Sequence, residues 1–259
     1  GTRPRGSRKD RFLQQVERTI CSEADHIWWF TEDALNYAKL RNPKLEDRGF
    51  VVLPGAEPPV CHHYHEYSDT LNLCHFGSLT NDRSLAPVLN SLETFFVNHP
   101  KAKNVIRIHT YGSDIDEAAK AVLEQLNLPE IIVNHGRLES DPLTGKSGRE
   151  RVIEKMYEAD VLLLLHGDYE WCAEYIPSKL YEYFWAQRPV VAVTNRNRFL
   201  DELLLKHNSY VCHTHDKASI LQTFENLWRD WQRSSLKAFE GEPVSVNDAV
   251  SQILTRVEH

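Results

Sequence analysis

The run Val161-Leu162-Leu163-Leu164-Leu165 holds no polar side chain. A strand of that kind is apolar on both faces, as expected for the middle of a sheet covered by helices on both sides. Around it, short apolar stretches alternate with stretches of helical period. The pattern predicts strands over 71–76, 105–111, 131–134, 190–194 and 209–211. It predicts helices over 84–98, 114–126, 148–158, 178–186, 197–206, 218–233 and 246–257. Strands and helices in strict alternation imply an α/β fold with an open parallel sheet. In such sheets ligands bind at the carboxyl ends of the strands where strand order reverses, so the loops after Phe76, Tyr111, Asn134 and Leu165 should share one crevice.

Upstream the pattern is looser. Phe12, Leu13, Val16 and Ile20 give 11–22 a helical spacing, and 27–30 is short and strand-like. Thr31 is placed to cap a helix through Leu40, with Asp33 in its first turn. Residues 51–53 form a strand closed by Pro54-Gly55. The stretch 57–70 is rich in Pro, His and Tyr without periodicity, and is read as a linker. The divisions expected are therefore 1–56, the linker 57–70, a main domain over 71–241 and a C-terminal helix in 242–259.

With 259 residues and 41% hydrophobic content, the chain can bury one large core or two modest ones. A net charge of −7 argues against a general nucleic-acid binder, though not against a local basic pocket. No apolar run approaches the ~20 residues needed to cross a bilayer. The five cysteines are odd in number and irregularly spaced, which fits reduced thiols and a cytoplasmic location.

Glu174 and Glu182 frame the most informative phrase. Between them Pro177-Ser178-Lys179 opens a helix, and Arg188-Pro189 then turns into the strand at 190–194. Pro177 suits a helix entry because the N–H it lacks would be orphaned there anyway. Ser178 can cap. The first-turn N–H groups at the positive end of the helix dipole form a cradle for phosphate, and Lys179 adds a full charge. Glu182, one turn further in, is within reach of ribose hydroxyls if a diphosphate sits on the helix tip. Glu174 lies on the far side of the phosphates.

This phrase resembles the Glu-x7-Glu signature of the retaining glycosyltransferases of family 4. The resemblance runs from about Ala24 to the C-terminus. It takes in Ala24-Asp25-His26-Ile27 with Thr31-Glu32, 51–55, His75-Phe76-Gly77-Ser78-Leu79 with Arg83, 133–138 and 159–165, in that order. It implies the Rossmann-like C-terminal half of a glycosyltransferase-B fold, with a nucleotide-diphosphate sugar as donor and neither cofactor nor metal. The sugar would pass with retention to a hydroxyl of a glycan, a lipid-linked sugar or a small molecule. By the same resemblance Arg83 and Lys179 stabilise the departing diphosphate, and Glu174 contacts the donor sugar. Gly77, Ser78, Gly136, Arg137, His166, Gly167, Pro177, Ser178, Leu180 and Glu182 surround the donor. Ser78 stands where the family commonly has Arg, and Arg83 matches the family's Lys, so Lys179 is expected to compensate.

An enzyme of this kind has two domains. Residues 1–56 are accordingly read as the end of the acceptor domain, and this chain by itself should bind donor without efficient turnover. Attachment at a membrane would come through the absent domain. Two alternatives stay open: an isomerase of the nucleotide-sugar 2-epimerase kind, and a non-catalytic subunit that binds nucleotide sugar. His62, His63, His65 and Glu66 with Cys61 and Cys74-His75 match no zinc spacing, and 212–216 does no better. Gly145-Lys146-Ser147 lacks the upstream glycine of a phosphate-binding loop, and no nucleophile elbow is present.

Overall fold

The computed structural model describes residues 6–59, 65, 68–126 and 129–258. The chain divides into two compact units, Gly1–Pro54 with Val244–His259, and Gly55–Pro243. Most of the expected linker, with Cys61, His62, His63 and Glu66, lies outside the described residues.

In the first unit Ser7 caps α1, Arg8–Glu23, by accepting from the Asp10 N–H at 3.1 Å. Strands β1, Ile27–Trp29, and β2, Gly49–Val51, pair in parallel around α2, Glu32–Arg41. Thr31 caps α2 as expected, its Oγ1 accepting from the Ala34 N–H at 3.1 Å. β2 starts two residues before the expected strand, because Trp28 pairs with Phe50 and Trp29 with Val51. Cys21, Leu35, Ala38 and Leu45 make a small core. The closing helix Val246–Val257 belongs to this unit and starts at a capping box between Ser245 and Asp248.

The second unit carries β3 (Leu71–Gly77), β4 (Ile106–Gly112), β5 (Ile132–Asn134), β6 (Val161–Leu165), β7 (Val190–Thr194) and β8 (Tyr210–His213). All are parallel, in the order β5-β4-β3-β6-β7-β8. Its helices are α3 (Ala86–Asn98), α4 (Glu117–Leu126), α5 (Gly148–Glu158), α6 (Lys179–Ala186), α7 (Arg198–Lys206) and α8 (Lys217–Gln232). They cover both faces, and the fold is the Rossmann-like α/β arrangement. One face buries Leu71, Leu73, Ile106, Ile108, Leu163 and Val191 against Phe95 of α3 and Phe224 of α8. Leu162 and Leu164 point to the opposite face and are also fully buried. Each such leucine contributes about 1.5–3 kcal/mol by leaving water, which is why the run tolerates no polar residue.

Helices α3 and α4 start two and three residues later than the periodicity suggests, and the buried Asp116 is the reason. It accepts from Ser84 Oγ at 2.6 Å, from the Leu85 N–H at 3.1 Å and from the Ala119 N–H at 3.0 Å. One carboxylate thus serves both helix starts and holds the turn that carries Arg83.

The strand order reverses between β3 and β6. Their pairing covers only Leu73 with Val161 and Cys74 with Leu162. Beyond that point side chains bridge the diverging strands. His75 Nδ1 meets the Leu163 carbonyl at 3.0 Å, and Tyr183 Oη accepts from the Phe76 N–H at 3.2 Å while donating to the Leu163 carbonyl at 3.4 Å. Among the described residues no helix is long and apolar enough to cross a membrane.

Candidate functional site

A cleft of about 520 Å³ opens at the carboxyl ends of β3 and β4. Phe76, Gly77, Tyr111 and Gly112 form its floor, 137–140 one wall, and Arg149 of α5 with Lys179 and Glu182 of α6 the other. The loops after β3, β4 and β5 therefore share a crevice as the topology requires. The loop after β6 does not line it. His166 is buried there, with Tyr175 tilted over its ring at 5.0 Å, because the turn Glu170–Glu174 folds back across that loop.

Lys179 is the centre of the cleft's electrostatics. Its Nζ donates to the Phe76 carbonyl at 2.5 Å. Burial, and then the charge of Arg83, push its pKa down to about 7, with Glu182 pulling the other way. Gly77 has φ +117°, and a Cβ there would lie 2.8 Å from Lys179 Nζ. Only glycine lets the ammonium reach the end of β3. Arg83 donates to Tyr175 Oη at 3.4 Å, and its Nε is buried without a hydrogen-bond partner. A lysine disfavoured as a cation by a neighbouring arginine, and an arginine with an unspent donor, describe a site short of negative charge.

Helix α6 begins differently from the expectation. Ser178 is already helical, at φ −55° and ψ −33°, and its side chain makes no capping bond. A capping side chain works from an extended backbone, which Ser178 does not have. It is exposed, while Pro177 and Leu180 are buried and do not line the cleft. Leu180 is fully buried and anchors the helix in the core.

Glu182 lies in the cleft, and its Oε1 accepts from Arg149 Nη1 at 2.7 Å. Glu174 closes the turn before α6, half-buried and outside the cleft lining. Asn197 Nδ2 secures that turn by donating to the carbonyls of Cys172 and Tyr175, at 2.7 Å each. Ser78 is exposed on the β3 loop. Gly136 supplies the carbonyl that accepts from the Gly112 N–H at 2.9 Å, and Arg137 extends into solvent at the rim, paired with Glu139. At Gly167 a Cβ would fall 2.9 Å from Cys172 Sγ, so the glycine serves packing of the 170–174 turn.

Sequence reasoning did not single out Arg149, Gly148, Val152 or Met156 of α5 as parts of the site. A Cβ on Gly148 would sit 2.3 Å from the Leu138 carbonyl oxygen, which locks the wall at 137–140 to the start of α5. Arg151 reinforces the lock by donating to the Glu139 carbonyl at 2.7 Å. Gly148→Ala is expected to cost about 2–3 kcal/mol in urea unfolding, since two backbone segments must separate. A cost under about 0.5 kcal/mol would show the wall is not held there.

No family model matches the chain, and no curated protein does either. Solved structures do. An α,α-trehalose-phosphate synthase (UDP-forming) from Burkholderia vietnamiensis matches with a TM-score of 0.67 at 9% identity, over 99% of this chain and 64% of its own. Anabaena HepE in complex with UDP gives 0.63 at 10% identity, over 95% and 63%. An S. aureus TarM mutant in complex with fondaparinux, α-GlcNAc-glycerol and UDP gives 0.61 at 12% identity, over 90% and 43%. The likeness is one of fold. The chain shares its Rossmann-like architecture with glycosyltransferase-B enzymes and spans 43% to 64% of these three.

Proposed function

We propose that this chain is the donor-binding part of a glycosyltransferase that moves a sugar, with retention, from a nucleoside diphosphate to an acceptor hydroxyl. The observation that carries the reading is Lys179 at the strand-order reversal, in the first turn of α6 and within one cleft of Glu182, with the charge of Arg83 behind the cleft lining near enough to lower its pKa. A diphosphate there would receive N–H groups from the helix start and two cations. The same groups stabilise the charge that grows on the departing diphosphate, a role worth several kcal/mol when the donors are already in place.

Glu182, in this reading, takes the ribose, and the wall at 137–140 faces the base. Glu174 attends to the transferred sugar once a donor is bound. Two of the similar structures were solved with UDP, which supports a uridine nucleotide as the first ligand to try. The acceptor would enter through a second domain like those that complete the longer similar chains.

UDP with EDTA present is expected to raise the melting temperature of this chain. At about 100-fold excess over Kd the stabilisation is about 2.7 kcal/mol. Absence of any shift with UDP, GDP or ADP would count decisively against the reading.

A further inference from the structure

Arg149 is the cleft residue with no place in the reading so far. We propose that Arg149 fixes the Glu182 carboxylate so that the pair reads both vicinal hydroxyls of a ribose, making Arg149 the residue that selects ribonucleoside over 2′-deoxyribonucleoside diphosphates. The inference rests on the cleft being a nucleoside diphosphate site.

Three observations support it. Arg149 Nη1 of α5 and Glu182 Oε1 of α6 meet at 2.7 Å along one wall of the cleft, and both side chains line it, Glu182 one helical turn on from Lys179. The backbone at Arg149 is anchored twice, by the contact of Gly148 with Leu138 and by the capping box between Ser147 and Glu150 that starts α5. Glu182 is the more sheltered partner, its side chain 24% exposed against 57% for Arg149. The arginine therefore reaches in from the rim to hold a carboxylate seated deeper.

The chemistry of the pair suits a diol. An ionised carboxylate only accepts hydrogen bonds, and a guanidinium only donates them, from five N–H groups in a rigid fork. Each sugar hydroxyl both donates and accepts. Two neighbouring hydroxyls can donate to Glu182 while one of them accepts from Arg149, and the existing contact sets the carboxylate plane before the sugar arrives. Removing the 2′-hydroxyl takes away a hydrogen bond to a charged group, the stronger kind of hydrogen bond. Lysine would supply the charge without the fork.

The test is calorimetric titration of the whole chain with UDP and with 2′-deoxy-UDP, for the wild type, Arg149→Met, Arg149→Lys and Glu182→Gln. The wild type should prefer UDP by roughly tenfold or more. Arg149→Met should weaken UDP by roughly tenfold while leaving 2′-deoxy-UDP within about threefold, so the preference collapses. Arg149→Lys should recover part of the UDP affinity without restoring the preference, and Glu182→Gln should lose the preference too. The pair is exposed, so melting of ligand-free Arg149→Met should stay close to wild type, and a purely structural role would move it instead. An unchanged preference in Arg149→Met, or tighter UDP binding because the arginine had competed with the ribose, would overturn the proposal while the donor-site reading stands. Failure of the wild type to bind UDP at all would overturn both.

Discussion

Lowering the pH from 7 to 5 should remove about 4 kcal/mol of stability from the second unit, about 2 kcal/mol from each of two buried histidines. His75 is fully buried, and burial with the nearby charge of Lys179 pushes its pKa down to about 3. His166 is 3% exposed, and burial lowers its pKa to about 4. Both are neutral when folded and titrate near 6.5 when unfolded. Their contribution is complete above about pH 6.5 and is lost as the pH falls towards 4, because the unfolded chain takes up protons that the folded one refuses. Burial lowers His65, His109 and His135 as well, so they act with the same sign. Urea unfolding at pH 7 and pH 5 measures the difference. Equal stabilities would mean that His75 and His166 accept protons in place, and that the bridging of β3 to β6 at Leu163 is looser than described.

UDP binding at pH 8 should take up close to one proton. With a pKa of about 7, Lys179 is only about one-tenth protonated at that pH in the free protein. A diphosphate beside it favours the ammonium and raises its pKa well above 8. The phosphate groups of UDP are fully ionised at pH 8 and supply no uptake of their own. Calorimetry in two buffers of different ionisation enthalpy counts the proton, and above pH 8 the affinity should fall about tenfold per pH unit. Lys179→Met should abolish the uptake and weaken UDP by at least about tenfold. The same substitution should raise the melting temperature near neutral pH, because a lysine whose folded pKa is depressed costs stability everywhere below its unfolded pKa. A stabilised variant that no longer binds is what a cation held for function would give. Uptake that survives in Lys179→Met would assign the proton to another group.

Much of the sheet was legible because its signal is local. The unbroken apolar run at 161–165 and the strand at 190–194 appear where periodicity put them, and the closing helix has the expected ends. Part of the cleft was legible for a similar reason: Lys179 and Glu182 stand within one turn of one helix start, and both line it. What escaped depends on contacts between distant segments. Arg149 meets Glu182 from another helix, and nothing around residue 149 announces a partner 33 positions away. The buried placement of His166 follows from Tyr175 folding back over it, which no spacing rule encodes. Ser178 has a capping residue type but a helical backbone, so composition alone misassigns it. The delayed starts of α3 and α4 trace to Asp116, whose carboxylate serves both.

The most direct test of the central claim is the position of the diphosphate in crystals of this chain grown with UDP and without divalent metal. The expected result places phosphate oxygens within hydrogen-bond distance of Lys179 Nζ and the first-turn N–H groups of α6, with Arg83 beside them and the ribose on the Glu182 side. A diphosphate bound away from the strand-order reversal, or at the cleft with its ribose turned from Glu182 towards Glu174, would contradict it.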